Sequence, residues 1–171
     1  MADEPEFQSV LTDEMRAQVG VEGAHVIHEV TSTGVRMFAR AVGYTDPIFY
    51  DREEAQRCGY RDLPAPPAYL GTAVFDPNTR DRTWGRQEGF APRLNLPYKN
   101  TLNGGTDIEY FDEDICAGDV LTVRMKFENL NERYSKALGG PMVISVTATT
   151  FRNQDDAVVA IMRGTSIAYG S

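Results

Sequence analysis

Histidine and cysteine, the side chains that most often carry acid–base, nucleophilic or metal chemistry, are scarce in this chain of 171 residues. His25 and His28 lie three apart in residues 24–31, where β-branched residues favour a strand. Residues three apart point to opposite faces of a strand, so the pair is a poor metal site and a structural role is favoured for both. Cys58 and Cys116 lack the paired spacing of metal ligands and are too few for a secreted disulfide framework.

Motifs that hold cofactors or metals do not occur in the sequence. There is no Gly-rich phosphate loop, no Gly-x-Ser-x-Gly elbow and no His-Glu-x-x-His pattern. We therefore expect neither a cofactor nor a metal.

Composition and charge exclude several further classes. Hydrophobic residues make up 42% and charged residues 25%, as in a folded protein. The net charge is -8 and the 17 Lys and Arg form no run, which argues against nucleic-acid binding. No apolar stretch approaches the roughly 18 residues of a membrane helix, and the N-terminus is acidic where a signal peptide would be basic. We expect a soluble, cytoplasmic protein with one domain over residues 1–171.

Helical signals are concentrated in the first half of the chain. An acidic extension, residues 1–23, has a short helix at 13–19. Ser32 or Thr33 would cap an amphipathic helix over residues 34–42, which Gly43 ends. The remaining predictions are a turn at Asp46-Pro47, a helix over residues 52–58 capped by Asp51, and a helical stretch over residues 68–75.

The second half of the chain has the period-two alternation of β-strands. Residues 76–103 are predicted to be irregular, and so long a loop usually carries function or an interface. Strands are predicted at residues 106–111, 120–130, 142–151 and 158–169, with a hairpin turn at Asp155-Asp156. The order, one strand, a helical middle and four antiparallel strands, predicts an α+β hot dog fold, in which a curved sheet wraps around a central helix. Its open edges favour pairing of two copies into a double hot dog dimer.

Four ordered landmarks resemble the MaoC-like dehydratase family, especially its N-terminal-type domains. Residues 35–51 resemble the hydratase signature, which in the family reads Phe-Ala-x-x-x-Gly-Asp-x-Asn-Pro-Ile-His-x-Asp. The later landmarks are Gly59-Tyr60 with Ala65-Pro66-Pro67, Leu102-Asn103-Gly104-Gly105 with Glu109-Tyr110, and the turn Ala117-Gly118-Asp119. The resemblance implies reversible hydration of a 2-enoyl thioester of CoA or acyl carrier protein, with an Asp and a His five residues later as acid and base.

The chain departs from that signature at both acid–base positions. Aligned on Pro47 and Asp51, the family's Asp is Tyr44 and its His is Phe49. Phe has no proton to transfer, and Tyr is protonated at neutral pH. Asp46 is a weak rescue candidate for the base, although a hydrogen bond within its own turn is favoured. We therefore assign no catalytic residue, and Tyr44 and Phe49 either line an acyl pocket or fill an inactive one.

Predicted substrate-binding residues follow from the same resemblance and from charge. They are Tyr44, Phe49, Asn103, Gly104 and Arg93. The basic residues of the irregular segment offer charge-assisted bonds to the phosphates of CoA, although a solvated loop charge is favoured for any single arginine among them; they are Arg80, Arg82, Arg86, Arg93 and Lys99.

Three hypotheses for function remain. The first is a degenerate subunit of a heteromeric enoyl-CoA hydratase or 3-hydroxyacyl thioester dehydratase, in a dimer or heterotetramer with a second MaoC-like subunit that carries the Asp/His dyad. Family analogy suggests a long or bulky acyl group, such as a long fatty acyl or a steroid side chain. The second is a stand-alone acyl-CoA-binding or scaffolding homodimer. The third is a divergent hydratase that uses Asp46 and Tyr44.

Overall fold

One antiparallel sheet organises the chain, whose computed structural model describes residues 6–75 and 89–170. The helices are α1 (Asp13–Arg16), α2 (Ser32–Val42), a 3₁₀ turn (Pro47–Phe49) and α3 (Arg52–Arg57). The strands are β1 (Val26–Glu29), β2 (Thr72–Ala73), β3 (Asn100–Tyr110), β4 (Val120–Ser135), β5 (Gly140–Arg152) and β6 (Val158–Tyr169). They form a six-stranded sheet in the order β2-β1-β4-β5-β6-β3, which confirms the predicted hot dog class.

Helix α2 packs its apolar stripe against this sheet. Val35 and Ala39 are fully buried, and Val35 shares a cluster with residues of β4 and β5. The helix ends at Gly43, whose φ of 82° suits glycine. The predicted caps, Ser32 and Thr33, were wrong. The capping residue is Thr31, whose side chain accepts a hydrogen bond from the Gly34 N–H at 3.0 Å, because the helix starts earlier than the apolar pattern.

Gly34 gives α2 its close approach to the core. A Cβ at this position would lie 2.0 Å from Tyr69 Oη. Tyr69 is buried, its ring lies tilted against Phe38 at a centroid distance of 5.3 Å, and its hydroxyl is 3.2 Å from Thr72 Oγ1. The phenol therefore has little room to move.

We expect Gly34→Ala to lower the free energy of unfolding by about 1–3 kcal/mol, because the added methyl overpacks a well-ordered site. Urea denaturation measures the change. Gly140→Ala is the matched control, since no atom lies within 4 Å of a Cβ built there. An unchanged unfolding midpoint for Gly34→Ala would show that Tyr69 moves aside.

A second apolar cluster ties the N-terminal segment to the sheet. Leu11 is buried against Phe127, Leu130 and Val143. Beside this cluster, the side chain of Glu132 accepts hydrogen bonds from the Val10 N–H at 2.8 Å, the Ser9 hydroxyl at 2.5 Å and the Arg16 guanidinium at 3.1 Å. Part of the predicted extension, around Leu11, is thus packed on β4 and β5, and its helix is shorter than predicted.

Residues 68–75 are not helical, which corrects the prediction for this stretch. Ala68 has a φ of 72° and Gly71 a φ of 76°, both incompatible with a right-handed helix. Thr72 and Ala73 pair instead with Glu29 and His28 of β1. The apolar composition of the stretch suits burial of Tyr69 and Leu70 as well as it suits a helix, so composition alone misled.

The strand that follows the loop begins earlier than predicted. Residues 100–103, predicted to be irregular, belong to β3, because the Gly104-Gly105 pair that suggested a break is a bulge within the strand. Moreover, β3 pairs with β6 and not with β4, so the last four strands are not a simple meander. The loop over residues 111–119 carries the chain across the sheet and leaves β4 free to pair with β1.

A buried carboxylate fixes that crossing loop. Asp119 is 1% exposed and receives two bonds from the Arg61 guanidinium, at 2.6 and 2.5 Å. Asp119 also accepts from the Cys116 N–H at 2.8 Å and from Gln154 at 3.3 Å, while Arg61 donates to Asp114 O at 3.0 Å. The Ala-Gly-Asp landmark is therefore a structural junction between the segment around Arg61 and the start of β4.

Candidate functional site

The turn between α2 and α3 holds the residues that the sequence marks as the site. Tyr44 and Phe49 come together there as a stacked pair, with ring centroids 5.6 Å apart and an interplanar angle of 26°. The Tyr50 hydroxyl donates to Tyr44 O at 2.5 Å, which closes the turn. Tyr44 is 39% exposed, and Phe49 packs partly on the core. The two positions aligned with the signature's Asp and His are thus occupied by one aromatic stack.

Both carboxylates of the turn bind backbone amides. Asp46 Oδ1 accepts from the Ile48 N–H at 3.1 Å, the arrangement expected of a turn-forming Asp before Pro47. Asp51 Oδ1 accepts from the N–H groups of Glu53 and Glu54 at 2.8 and 3.3 Å, which confirms that Asp51 caps α3. Local structure accounts for each carboxylate.

Phe49 also forms one wall of a largely apolar cavity of about 300 Å³. The other lining residues are Ile48, Tyr60, Pro64, Ala65, Pro67, Tyr110, Phe111, Glu113, Asp114 and Ile115. The Tyr110 hydroxyl accepts from the Ala68 N–H at 2.7 Å, so the strained turn at Ala68 is tied to this wall. Aliphatic and aromatic walls suit a hydrocarbon chain.

Two carboxylates at this cavity are absent from the sequence predictions. Glu113 and Asp114 follow β3 directly, in the acidic run of residues 112–114. Glu113 Oε2 accepts from Asn153 Nδ2 at 2.5 Å. The run itself was the available signal, but nothing in the sequence places residues 112–114 beside residues 48–49, which are far away along the chain.

The other predicted binding residues lie elsewhere in the fold. Asn103 and Gly104 form the bulge of β3, where Asn103 Oδ1 accepts from the Gly105 N–H at 2.9 Å. Arg93 and Lys99 are exposed in the segment that leads into β3. Arg80, Arg82 and Arg86 lie outside the described residues. Substrate contacts for this group remain predictions.

Of the two histidines for which a structural role was predicted, His25 is exposed and precedes β1, whereas His28 lies within β1 and contacts its neighbours. His28 Nδ1 donates to Leu70 O at 2.9 Å, and its ring meets Phe151 edge-on. Cys58 is exposed, whereas Cys116 is fully buried and burial raises the pKa of its thiol.

Within residues 6–75 and 89–170, no group of three His, Cys, Asp or Glu side chains is placed to hold a metal ion. Nor does any helix in the described part of the chain have the length and apolar character needed to cross a membrane.

Comparison with known proteins places this geometry in a family. The family described as FAS1-like, dehydratase domain region, matches residues 17–162. A protein of Streptomyces avermitilis, named only as a UPF0336 protein, is 30% identical over 132 residues, which cover 77% of this chain and 79% of that protein.

A second relative and a solved structure carry more informative names. The probable enoyl-CoA hydratase alpha subunit of Thermomonospora curvata is 28% identical over 135 residues, covering 75% of this chain and 41% of that protein. The HadBC complex of Mycobacterium tuberculosis, a 3R-hydroxyacyl-ACP dehydratase, superposes with a TM-score of 0.62 at 22% identity, over 88% of this chain and 98% of the matched chain. At that identity the superposition establishes a shared fold.

Proposed function

This chain belongs to the FAS1-like dehydratase-region family of MaoC-like hot dog proteins, and from that premise we propose that it is a non-catalytic subunit of a heteromeric hydratase or dehydratase. The reaction would be the reversible hydration of a 2-enoyl thioester of CoA or acyl carrier protein. The catalytic Asp and His would come from a second, unlike MaoC-like subunit.

The observation that carries this proposal is the aromatic stack of Tyr44 and Phe49. Hydration of an enoyl thioester needs a base that activates water and an acid that protonates C2. An aromatic pair at the aligned positions offers neither a carboxylate nor an imidazole. Asp46, the nearest carboxylate in sequence, accepts a hydrogen bond from its own turn.

Names of similar proteins support a subunit role. The Thermomonospora curvata relative is called an alpha subunit, and the superposed dehydratase is a complex. In a pair of hot dogs with a single acid–base dyad, this half is free to hold substrate. We extend the proposal to a long or bulky acyl group, such as a long fatty acyl or a steroid side chain, which would lie against Phe49 and the apolar cavity beside it.

Substitutions within this chain test the non-catalytic role. In a reconstituted complex, Asp46→Asn and Tyr44→Phe should each leave the hydration rate within about threefold of the wild type, because neither group transfers a proton. The rate is followed by the loss of enoyl thioester absorbance. Catalysis by this chain would instead lower the rate by roughly 10²–10⁴-fold for the residue responsible.

Glu113 and Asp114 need the same test, because they bring carboxylates to the cavity beside Phe49. The double variant Glu113→Gln/Asp114→Asn preserves shape and removes both charges. We expect it to retain activity in the complex. A loss of 10²-fold or more would move the base into this chain and overturn the proposal.

A further inference from the structure

Among the strands of residues 6–75 and 89–170, β3 lies at the outer edge of the sheet. It pairs with β6 on one side and is the last strand in the sheet order. All of its described residues are exposed except Ile108, which packs partly on the core. Because no described strand pairs with its outer side, an edge of this length offers backbone N–H and C=O groups to the strand of another chain.

The bulge confines regular pairing to one half of this edge. The register shifts between Asn103 and Gly105, where β3 has one residue more than β6. A Cβ on Gly104 would lie 2.7 Å from Thr165 Cγ2, so the bulge fits tightly against β6. A bulge interrupts ladder pairing and bends its strand. Residues 106–110 are the uninterrupted part.

This regular part carries excess negative charge on its outer face. Because Ile108 packs on the core, its neighbours Asp107 and Glu109 point to the opposite face. Arg163 of β6 bonds Glu109 at 2.9 Å and Glu128 at 3.0 Å, and lies across the ladder from Asp107. Two carboxylates thus bond the Arg163 guanidinium, and a third, that of Asp107, belongs to its register partner on β3. Lys126 lies in the same cross-strand row but on β4, two strands beyond Arg163.

Self-pairing of this segment opposes like charges. When two copies of a strand pair antiparallel in one continuous sheet, opposing side chains share a face and the pairing has two-fold symmetry. A two-fold axis at Ile108 puts Asp107 opposite the second copy's Glu109, twice. An axis at residue 107 or 109 puts that carboxylate opposite itself. Every axis through the middle of the regular segment therefore places carboxylates face to face, which destabilises the pair.

We infer that Asp107 and Glu109 select the partner of the β3 edge: they disfavour pairing with a second copy of this chain and favour the edge strand of an unlike hot dog subunit that places Lys or Arg opposite them. This inference rests on the proposed heteromeric function for the identity of its partner. The repulsion between the carboxylates of two copies is a property of this chain, and it can be measured by self-association without that partner.

Sedimentation equilibrium of the full chain tests the inference. The variant Asp107→Asn/Glu109→Gln removes both charges with little change of shape, and we expect its self-association to be about tenfold tighter than the wild type's. The wild type should associate more tightly as salt screens the repulsion, and the variant should not. Asp13→Asn/Glu14→Gln removes the same charge from α1 and should leave self-association unchanged.

A mixing experiment gives the complementary result. The variant Asp107→Lys/Glu109→Lys repels itself, but an axis at Ile108 sets each Lys opposite a wild-type carboxylate. We expect mixed pairs to exceed either self-pair by tenfold or more, with circular dichroism confirming that both chains are folded. Equal association in every combination, with no salt dependence, would overturn the inference. Failure to obtain an active hydratase would count against the proposed function and leave these measurements unaffected.

Discussion

Asp119→Ala is expected to lower the free energy of unfolding by about 2–4 kcal/mol, a large part of the stability of a domain of this size. The substitution leaves the buried Cys116 N–H without its acceptor and removes both carboxylate hydrogen bonds of the Arg61 guanidinium. Losing one partner of a buried ion pair costs more than the pair contributes, because the remaining charge is desolvated without compensation. The half-exposed Arg61 moderates the penalty, since it can turn to water.

Urea denaturation followed by circular dichroism measures this effect. Asp119→Asn should lie between the wild type and Asp119→Ala, because an amide oxygen still accepts from Cys116 N–H. Glu54→Gln is the matched control, since Glu54 pairs with Arg57 on the surface of α3 and such pairs contribute about 0–1 kcal/mol. A loss for Asp119→Ala no larger than that of the control would show that the junction is not structural.

Removal of either acid–base residue from the partner should have the largest effect on activity. Replacing the partner's Asp by Asn, or its His by Ala, is expected to lower the hydration rate by about 10²–10⁴-fold, because each residue moves a proton in the reaction. Losing both should cost little more than losing one, since the two act as a unit.

The same assay separates catalysis from assembly. Each partner variant should still co-elute with this chain, because the dyad does not form the proposed strand contact at β3. Restoring the signature here, with Tyr44→Asp and Phe49→His, would not by itself rescue a partner that lacks its dyad, since the stacked pair also shapes the turn. A partner variant that keeps full activity with this chain present would place the acid–base groups in this chain.

Most of the helices and strands could be predicted from short stretches of sequence, because their boundaries and buried faces depend on neighbouring residues. The apolar stripe of α2, the Gly43 stop and the Asp51 cap depend on residues within a few positions of one another. The alternation of β4 and β5 likewise reports one buried face. By contrast, residues 68–75 take their conformation from the Tyr69 packing site and from pairing with β1, which no window of that segment contains.

The order of strands and the bulge of β3 depend on distant partners. Gly104-Gly105 has the composition of a break, and its fit against Thr165 becomes visible only when β6 lies beside it. The residues of the candidate site also fall into two groups, those that nearby sequence identifies and those that only the fold brings together. Resemblance to a signature located Tyr44 and Phe49, which are near in sequence, whereas the carboxylates at residues 113–114 reach the cavity beside Phe49 only through the fold.

The most direct test of the non-catalytic role is an enoyl-CoA hydration assay on three samples: this chain alone, an unlike MaoC-like chain with an intact Asp-x-Asn-Pro-Ile-His signature, and the two co-purified. A non-catalytic role predicts no hydration by this chain alone, and a co-eluting complex whose activity requires the dyad of the partner. Hydration by this chain alone, lost in Asp46→Asn or in Glu113→Gln/Asp114→Asn, would contradict it. Tight acyl-CoA binding without hydration or a partner would favour a stand-alone binding protein instead.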